Sequence, residues 1–208
     1  MRILLLLILA GCTQRPNQAI GILIDTSGTY VDQSPELLQQ IRLVVLPNLR
    51  GGDQLVLMKI DSFSYGWDNV LTTLQVPHGR RDAAEIKRQF AVSLGELDLE
   101  SSTHTDISGA LLYCNEYLRN LDARVLKMLV FSDMQEDLPE GLVRSFRESE
   151  FGGVRIAVVN TKRLVADQRD PESYRRRLDE WRDKIMQCGA VSFDVYMGPD
   201  KIRTFMEN

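Results

Sequence analysis

Three short segments concentrate side-chain oxygen in this chain. Asp25-Thr26-Ser27-Gly28-Thr29 follows an apolar run, Thr103-His104-Thr105-Asp106 precedes a helix-like stretch, and Ser132-Asp133-Met134 closes a second apolar run. Among their side chains, the carboxylates of Asp25 and Asp133 and the hydroxyls of Ser27, Thr29 and Thr105 make one candidate donor set. That donor set needs no thiol or imidazole. It suits a hard cation, magnesium first, with manganese or calcium as substitutes. Magnesium keeps waters and accepts an outside carboxylate, so such a site could bridge this chain to a protein partner. Each motif alone is common by chance, and it is the ordered trio that has weight. The competing expectation is a site without metal, in which backbone amides and hydroxyls satisfy both carboxylates.

These groups can act together only if the chain delivers them to one place. Residues 19–24 form an apolar run ending at Asp25, fit for a buried strand, and 54–61, 70–76, 125–132 and 154–159 read as further strands. The short connection between 61 and 70 predicts that 70–76 is antiparallel. Ser34-Pro35 opens a helix with Leu37, Leu38, Ile41, Val44 and Val45 on one face, stopped by Pro47 and Gly51-Gly52. Asp82 and Glu85 predict a capping box before Ile86, Phe90 and Leu94. Further helices are expected after Thr105, over 139–150, and after Asp170-Pro171. Val191, Phe193 and Val195 alternate as a last strand, and 198–208 reads as a short tail. The fold class is therefore α/β: a single, doubly wound, mostly parallel sheet with one antiparallel edge strand and helices on both faces. Ligands of such sheets bind beyond the carboxyl ends of the strands, where the three oxygen-rich segments fall.

Composition removes several alternatives. The 208 residues suffice for one domain, and 44% hydrophobic with 26% charged residues is ordinary for a globular chain. Twenty-five basic against 29 acidic residues argue against a nucleic-acid binder. Only two histidines, and three cysteines without a C-x-x-C pair, argue against zinc and iron–sulfur sites. The Arg-rich stretch 162–184 is interleaved with acids and reads as a solvated helix face. Phe63, Tyr65 and Trp67 are expected to extend two strands over a core edge rather than to form an exposed patch. Cys114 is expected to be buried, with a Cys114–Cys188 disulfide open in an oxidising compartment.

The apolar run 3–10 follows Arg2 and ends at Gly11-Cys12. As a helix it would be about 12 Å long, too short for a hydrocarbon core of roughly 30 Å, and it has the form of a secretory signal. Leu9-Ala10-Gly11-Cys12 resembles the lipobox of bacterial lipoproteins. That resemblance implies a signal peptide over 1–11, a lipidated Cys12 with a tether to residue 18, and a lipid-anchored protein of the bacterial cell envelope. Thr13 in place of Asp after the cysteine would then point, in a Gram-negative cell, to a periplasm-facing place on the outer membrane.

The ordered trio resembles the metal-ion-dependent adhesion site of von Willebrand factor type A domains. That family carries Asp-x-Ser-x-Ser after its first strand, a Thr before a central helix and an Asp after the next strand. Asp25, Ser27 and Thr29 match the first motif, Thr105 the second and Asp133 the third. Thr105-Asp106-Ile107 followed by Gly109-Ala110-Leu111 strengthens the match, which spans about 19–197. The resemblance implies a non-enzymatic module that binds a protein partner supplying a carboxylate to magnesium. Thr29 departs from the third-position serine, and Ser-Ser-Thr-His before Thr105 lacks the glycines often seen there. A rival resemblance, to haloacid-dehalogenase-type phosphotransferases, would make Asp25 a nucleophile. It wants an acid or Lys-Thr where this chain has Ser27, and a late acidic motif that is missing. A third reading is a structural lipoprotein with an empty site.

Overall fold

The computed structural model describes residues 17–28, 30–159 and 171–207. The expected signal peptide over 1–11, Cys12, most of the expected tether, Thr29 and the first part of the Arg-rich stretch lie outside the described residues. Six strands form one sheet in the order β3-β2-β1-β4-β5-β6: β1 Gln18–Asp25, β2 Gln54–Ile60, β3 Val70–Gln75, β4 Val125–Phe131, β5 Val154–Val159 and β6 Ser192–Tyr196. All neighbours pair in parallel except β2 and β3. The expected antiparallel edge is present, and the fold class is as read from the sequence.

Helix α1 begins as Ser34–Gln40 and runs through a π-helical turn, Ile41–Val45, to Leu46–Asn48. α2 is Arg80–Gly95, α3 Ile107–Arg119, α4 Pro171–Gln187 and α5 Pro199–Glu207. Strand side chains alternate between two cores. Ile20, Ile22, Ile24, Leu55, Leu57, Leu129 and Phe131 meet α1, α2 and α5 on one face. Leu23, Val56, Met58, Met128, Val130 and Ile156 meet α3 and α4 on the other. At Gly21, α3 lies so close to β1 that an added Cβ would sit 2.1 Å from the Cys114 sulfur. Cys114 is buried, its thiol pushed up by desolvation, and both it and half-buried Cys188 are free, so the Cys114–Cys188 disulfide is not formed.

Several local expectations are corrected. α1 does end between Pro47 and Gly51-Gly52, at Asn48, but Pro47 itself sits inside the last turn. A proline ring clashes with the carbonyl four residues back, and the wider π turn just before Pro47 makes room for it. Asp82 caps nothing: α2 starts two residues earlier behind Gly79, and Glu85 binds Arg88 and Gln89 instead. Residues 139–150 are not helical. Gly141 takes φ 81°, and the segment is drawn out so that Arg144 reaches Asp106 and Phe146 reaches the rings of Phe151 and Trp181. Residues 198–208 are not a tail, since α5 buries Ile202, Phe205 and Met206 in the first core. Fully buried Lys127 on β4 donates to the carbonyls of Phe205 and Met206, closing the end of α5. Phe63, Tyr65 and Trp67 do not cover a core edge. They are 64%, 48% and 62% exposed, with Tyr65 and Trp67 against Tyr113 and Tyr117 of α3.

Candidate metal centre

β1, β2 and β4 run the same way, so the chain enters β1 at Gln18 and delivers Asp25 at the opposite edge of the sheet, beside the ends of β2 and β4. Asp25 is the last residue of β1 and is fully buried. Its Oδ1 accepts from the Ser27 amide at 2.8 Å, and its Oδ2 accepts from the Ser132 hydroxyl at 2.6 Å. Burial pushes the Asp25 carboxyl above its ordinary range, against the hydrogen bonds from Ser132 and Ser27 that pull it down. No cationic side chain among the described residues pairs with it. An anionic Asp25 is therefore costly without a nearby cation, which is the environment a bound metal would relieve.

Three links close a ring around this edge. The Ser102 amide donates to the Thr26 carbonyl at 2.8 Å, joining the loop after β1 to the loop before α3. Thr105 and Asp137 exchange amide-to-carbonyl bonds of 2.8 and 3.0 Å, joining the loop before α3 to the loop after β4. Ser132, at the end of β4, returns to Asp25. Ser27 and Ser102 form the first bridge, and buried Thr105 forms the second. Asp133, 4% exposed, follows Ser132 and accepts from the Gln135 amide at 2.8 Å. The predicted residues Asp25, Ser27, Thr105 and Asp133 thus lie on three mutually bonded loops at one sheet edge. His104 stands at the rim, with Nδ1 3.0 Å from an Asp137 carboxylate oxygen.

Sequence reasoning assigned no role to the residues that hold this arrangement. Asp106 is fully buried and caps α3 by accepting from the Gly109 amide. It also accepts from the Ser64 amide and, on both oxygens, from Arg144. An added Cβ at Gly109 would lie 2.2 Å from its carboxylate, so that position needs glycine. The signal was legible: an Asp directly before an apolar periodic run is an N-cap. Arg144 carried no such signal, because its partner is 38 residues away. Glu136 accepts from the Ser108 amide at 2.6 Å and from its hydroxyl at 3.1 Å, tying the loop after β4 to the start of α3.

Met134 and Ser149 are the two non-glycine residues with positive φ among the described residues, and Met134 lies at this edge. Met134 has φ 61° and is 1% exposed. A left-handed conformation costs a side-chain-bearing residue about 1–2 kcal/mol, so its surroundings must enforce it. The Ser132 hydroxyl accepts from the Met134 amide at 2.9 Å, and two side chains of α4 reach the carbonyls of the same turn.

The donor set fits a hard cation held partly by hydroxyls. Among the described residues, no group of three or more His, Cys, Asp or Glu side chains is placed to hold a metal, so a cation here must rely on Ser and Thr oxygens beside the two carboxylates. Also among the described residues, no helix is long and apolar enough to cross a membrane.

No family model and no curated protein matches this chain. Solved structures do. The PilB minor pilin from Streptococcus sanguinis is similar at a TM-score of 0.57 with 10% identity, over 94% of this chain and 60% of that one. A von Willebrand factor type A protein from Catenulispora acidiphila gives 0.50 with 11% identity, over 91% and 41%. The pilus adhesin SpaC from Lactobacillus rhamnosus GG gives 0.50 with 10% identity, over 94% and 30%. This chain spans less than two thirds of each of these proteins. At such identities the likeness is one of fold, and the fold is von Willebrand factor type A-like.

Proposed function

We propose that this chain is a membrane-anchored, non-enzymatic binding module that presents a divalent cation, magnesium foremost, to a carboxylate of a protein partner in the bacterial cell envelope. The observation that carries this reading is the closed ring of loops bearing Asp25, Ser27, Thr105 and Asp133, around a buried carboxylate with no cationic partner among the described residues. Asp25, Ser27, Thr105 and Asp133 would hold the ion, with Thr29 as the remaining hydroxyl of the motif. The ion's role is to offer an open position to an outside oxygen. The pilin and adhesin folds among the similar structures support an adhesive use. The resemblance of Leu9-Ala10-Gly11-Cys12 to a lipobox supports the anchor and an envelope location.

Calorimetric titration with magnesium, repeated with manganese, tests the site. Wild type should give saturable heat, and Asp25→Ala, confirmed folded by circular dichroism, should give none. Equal heats in the two proteins would refute the metal site, and no heat in either would leave the structural reading standing.

A further inference from the structure

The face of α4 that carries Arg177, Trp181 and Lys184 reaches across to the candidate metal edge. These positions fall at i, i+4 and i+7, on one side of a helix. The Arg177 Nε donates to the Asp133 carbonyl at 2.9 Å, and the Trp181 Nε1 donates to the Met134 carbonyl at 2.9 Å. Two successive carbonyls of one loop are therefore held by donors one helical turn apart. Lys184 continues the row: its ammonium lies 3.3 Å from the Ser108 hydroxyl of α3 and 4.7 Å from the centre of the Trp181 ring. The turn so held is the left-handed one at Met134, next to the carboxylate of Asp133.

We propose that Trp181 and Arg177 are positioning residues for the metal edge, fixing the Asp133–Met134 turn so that the Asp133 carboxylate faces the site. This inference rests on the metal reading above. The geometry explains why the turn needs outside help. A methionine does not adopt φ 61° unaided, and the loop's own bonds, from the Met134 amide to Ser132 and from the Gln135 amide to the Asp133 carboxylate, leave the carbonyls of Asp133 and Met134 to be held from elsewhere. α4 supplies those donors from a helix anchored in the second core through Tyr174, Leu178 and Ile185. The metal site is thereby extended to an element that contributes no donor to the ion.

The test uses Trp181→Phe, which keeps an aromatic ring in the core but lacks the N–H, and Arg177→Met, which keeps the stem. Amide exchange followed by NMR should speed up at least fivefold for Met134 and Gln135 in each, while the β2 amides of Val56 and Leu57 stay protected. Manganese affinity measured by calorimetry should fall about tenfold or more, the usual effect of removing a group that orients a metal ligand. Leu118→Ala, a cavity in the same core away from the turn, should lower stability and leave the manganese constant unchanged. In a Trp67→Phe background Trp181 is the remaining indole of the chain's two, and its emission should shift on manganese addition. Wild-type binding with unchanged affinity in both variants overturns the positioning role and leaves the metal reading intact. Unchanged exchange at Met134 and Gln135 overturns it as well. An absence of manganese binding by wild type removes the metal reading itself, and the role proposed for α4 falls with it.

Discussion

Arg144→Met is expected to be among the most damaging single changes at this edge. The Arg144 side chain is 18% exposed and its partner Asp106 is fully buried, with the closest contact at 2.6 Å. Removing one partner of a buried ion pair generally costs about 3–5 kcal/mol, because the other charge is left uncompensated. Asp106 keeps the Ser64 and Gly109 amides at 2.9 and 2.8 Å, and the partial exposure of Arg144 lets water approach. Both place the loss at the lower end. The guanidinium also lies 5.6 Å from the centre of the Tyr65 ring, a contact worth about 0.5–1 kcal/mol where exposed. A total near 3 kcal/mol follows, and for a chain of this size about 2–4 °C of Tm per kcal/mol converts it to roughly 6–12 °C. Urea unfolding would measure it, with Asp106→Asn and the double variant completing a thermodynamic cycle. The loss should be much smaller in the Asp106→Asn background, giving a coupling of about 1–3 kcal/mol. A loss below about 1 kcal/mol, or one of equal size in both backgrounds, would refute the account of Asp106 as a buried charge held by Arg144.

Other expectations are more compact. Because burial raises the Asp25 carboxyl above 3.8, the folded state holds its proton over a range where the unfolded chain has lost it. Metal-free stability should therefore fall as pH rises through the folded value. Asp25→Asn should exceed wild type in chelator at neutral pH, with the gap closing towards pH 4, and a less stable variant throughout would contradict this. Gly21→Ala should cost about 1–3 kcal/mol by overpacking against Cys114, and adding Cys114→Ala should recover part of it; additive losses in denaturant titration would count against that contact. Lys127→Met strips the donor from two buried carbonyls and should cost about 2–3 kcal/mol, with faster amide exchange confined at first to α5. For the anchor, metabolic palmitate labelling should vanish in Cys12→Ser, and persistent labelling would overturn the lipid attachment.

The strands and the antiparallel edge were legible because each strand is a short apolar run ending at a polar turn, and parallel pairing follows from the helices between most of them, whereas the strand order in the sheet was not read. The same local reading put Asp25, Ser27, Thr105 and Asp133 at the carboxyl ends of strands or in the loops beside them, and strand ends of a parallel sheet converge on one edge. It failed wherever a distant partner decided the outcome. Residues 139–150 have helix-like spacing, yet burying Arg144 against Asp106 and Phe146 against Phe151 pulls them into an irregular path. The last residues looked too short and polar for core, but Lys127, 78 residues before Phe205, waits beneath them with a buried ammonium. Ser132 was visible as an oxygen beside Asp133, although its bond to Asp25 spans 107 residues and needs β1 and β4 to be neighbours.

The direction of β1 sets a height. With Cys12 acylated, a fully extended tether to Gln18 reaches about 20 Å from the bilayer surface. The eight residues of β1 then lead away from the point of attachment for about 26 Å. With the proposed anchor and ion, the cation could stand no more than roughly 46 Å above the membrane. A partner would meet it from the opposite side of the envelope space, or from a neighbouring protein of similar stature, and the anchor would work as a short leash that limits which surfaces come within range.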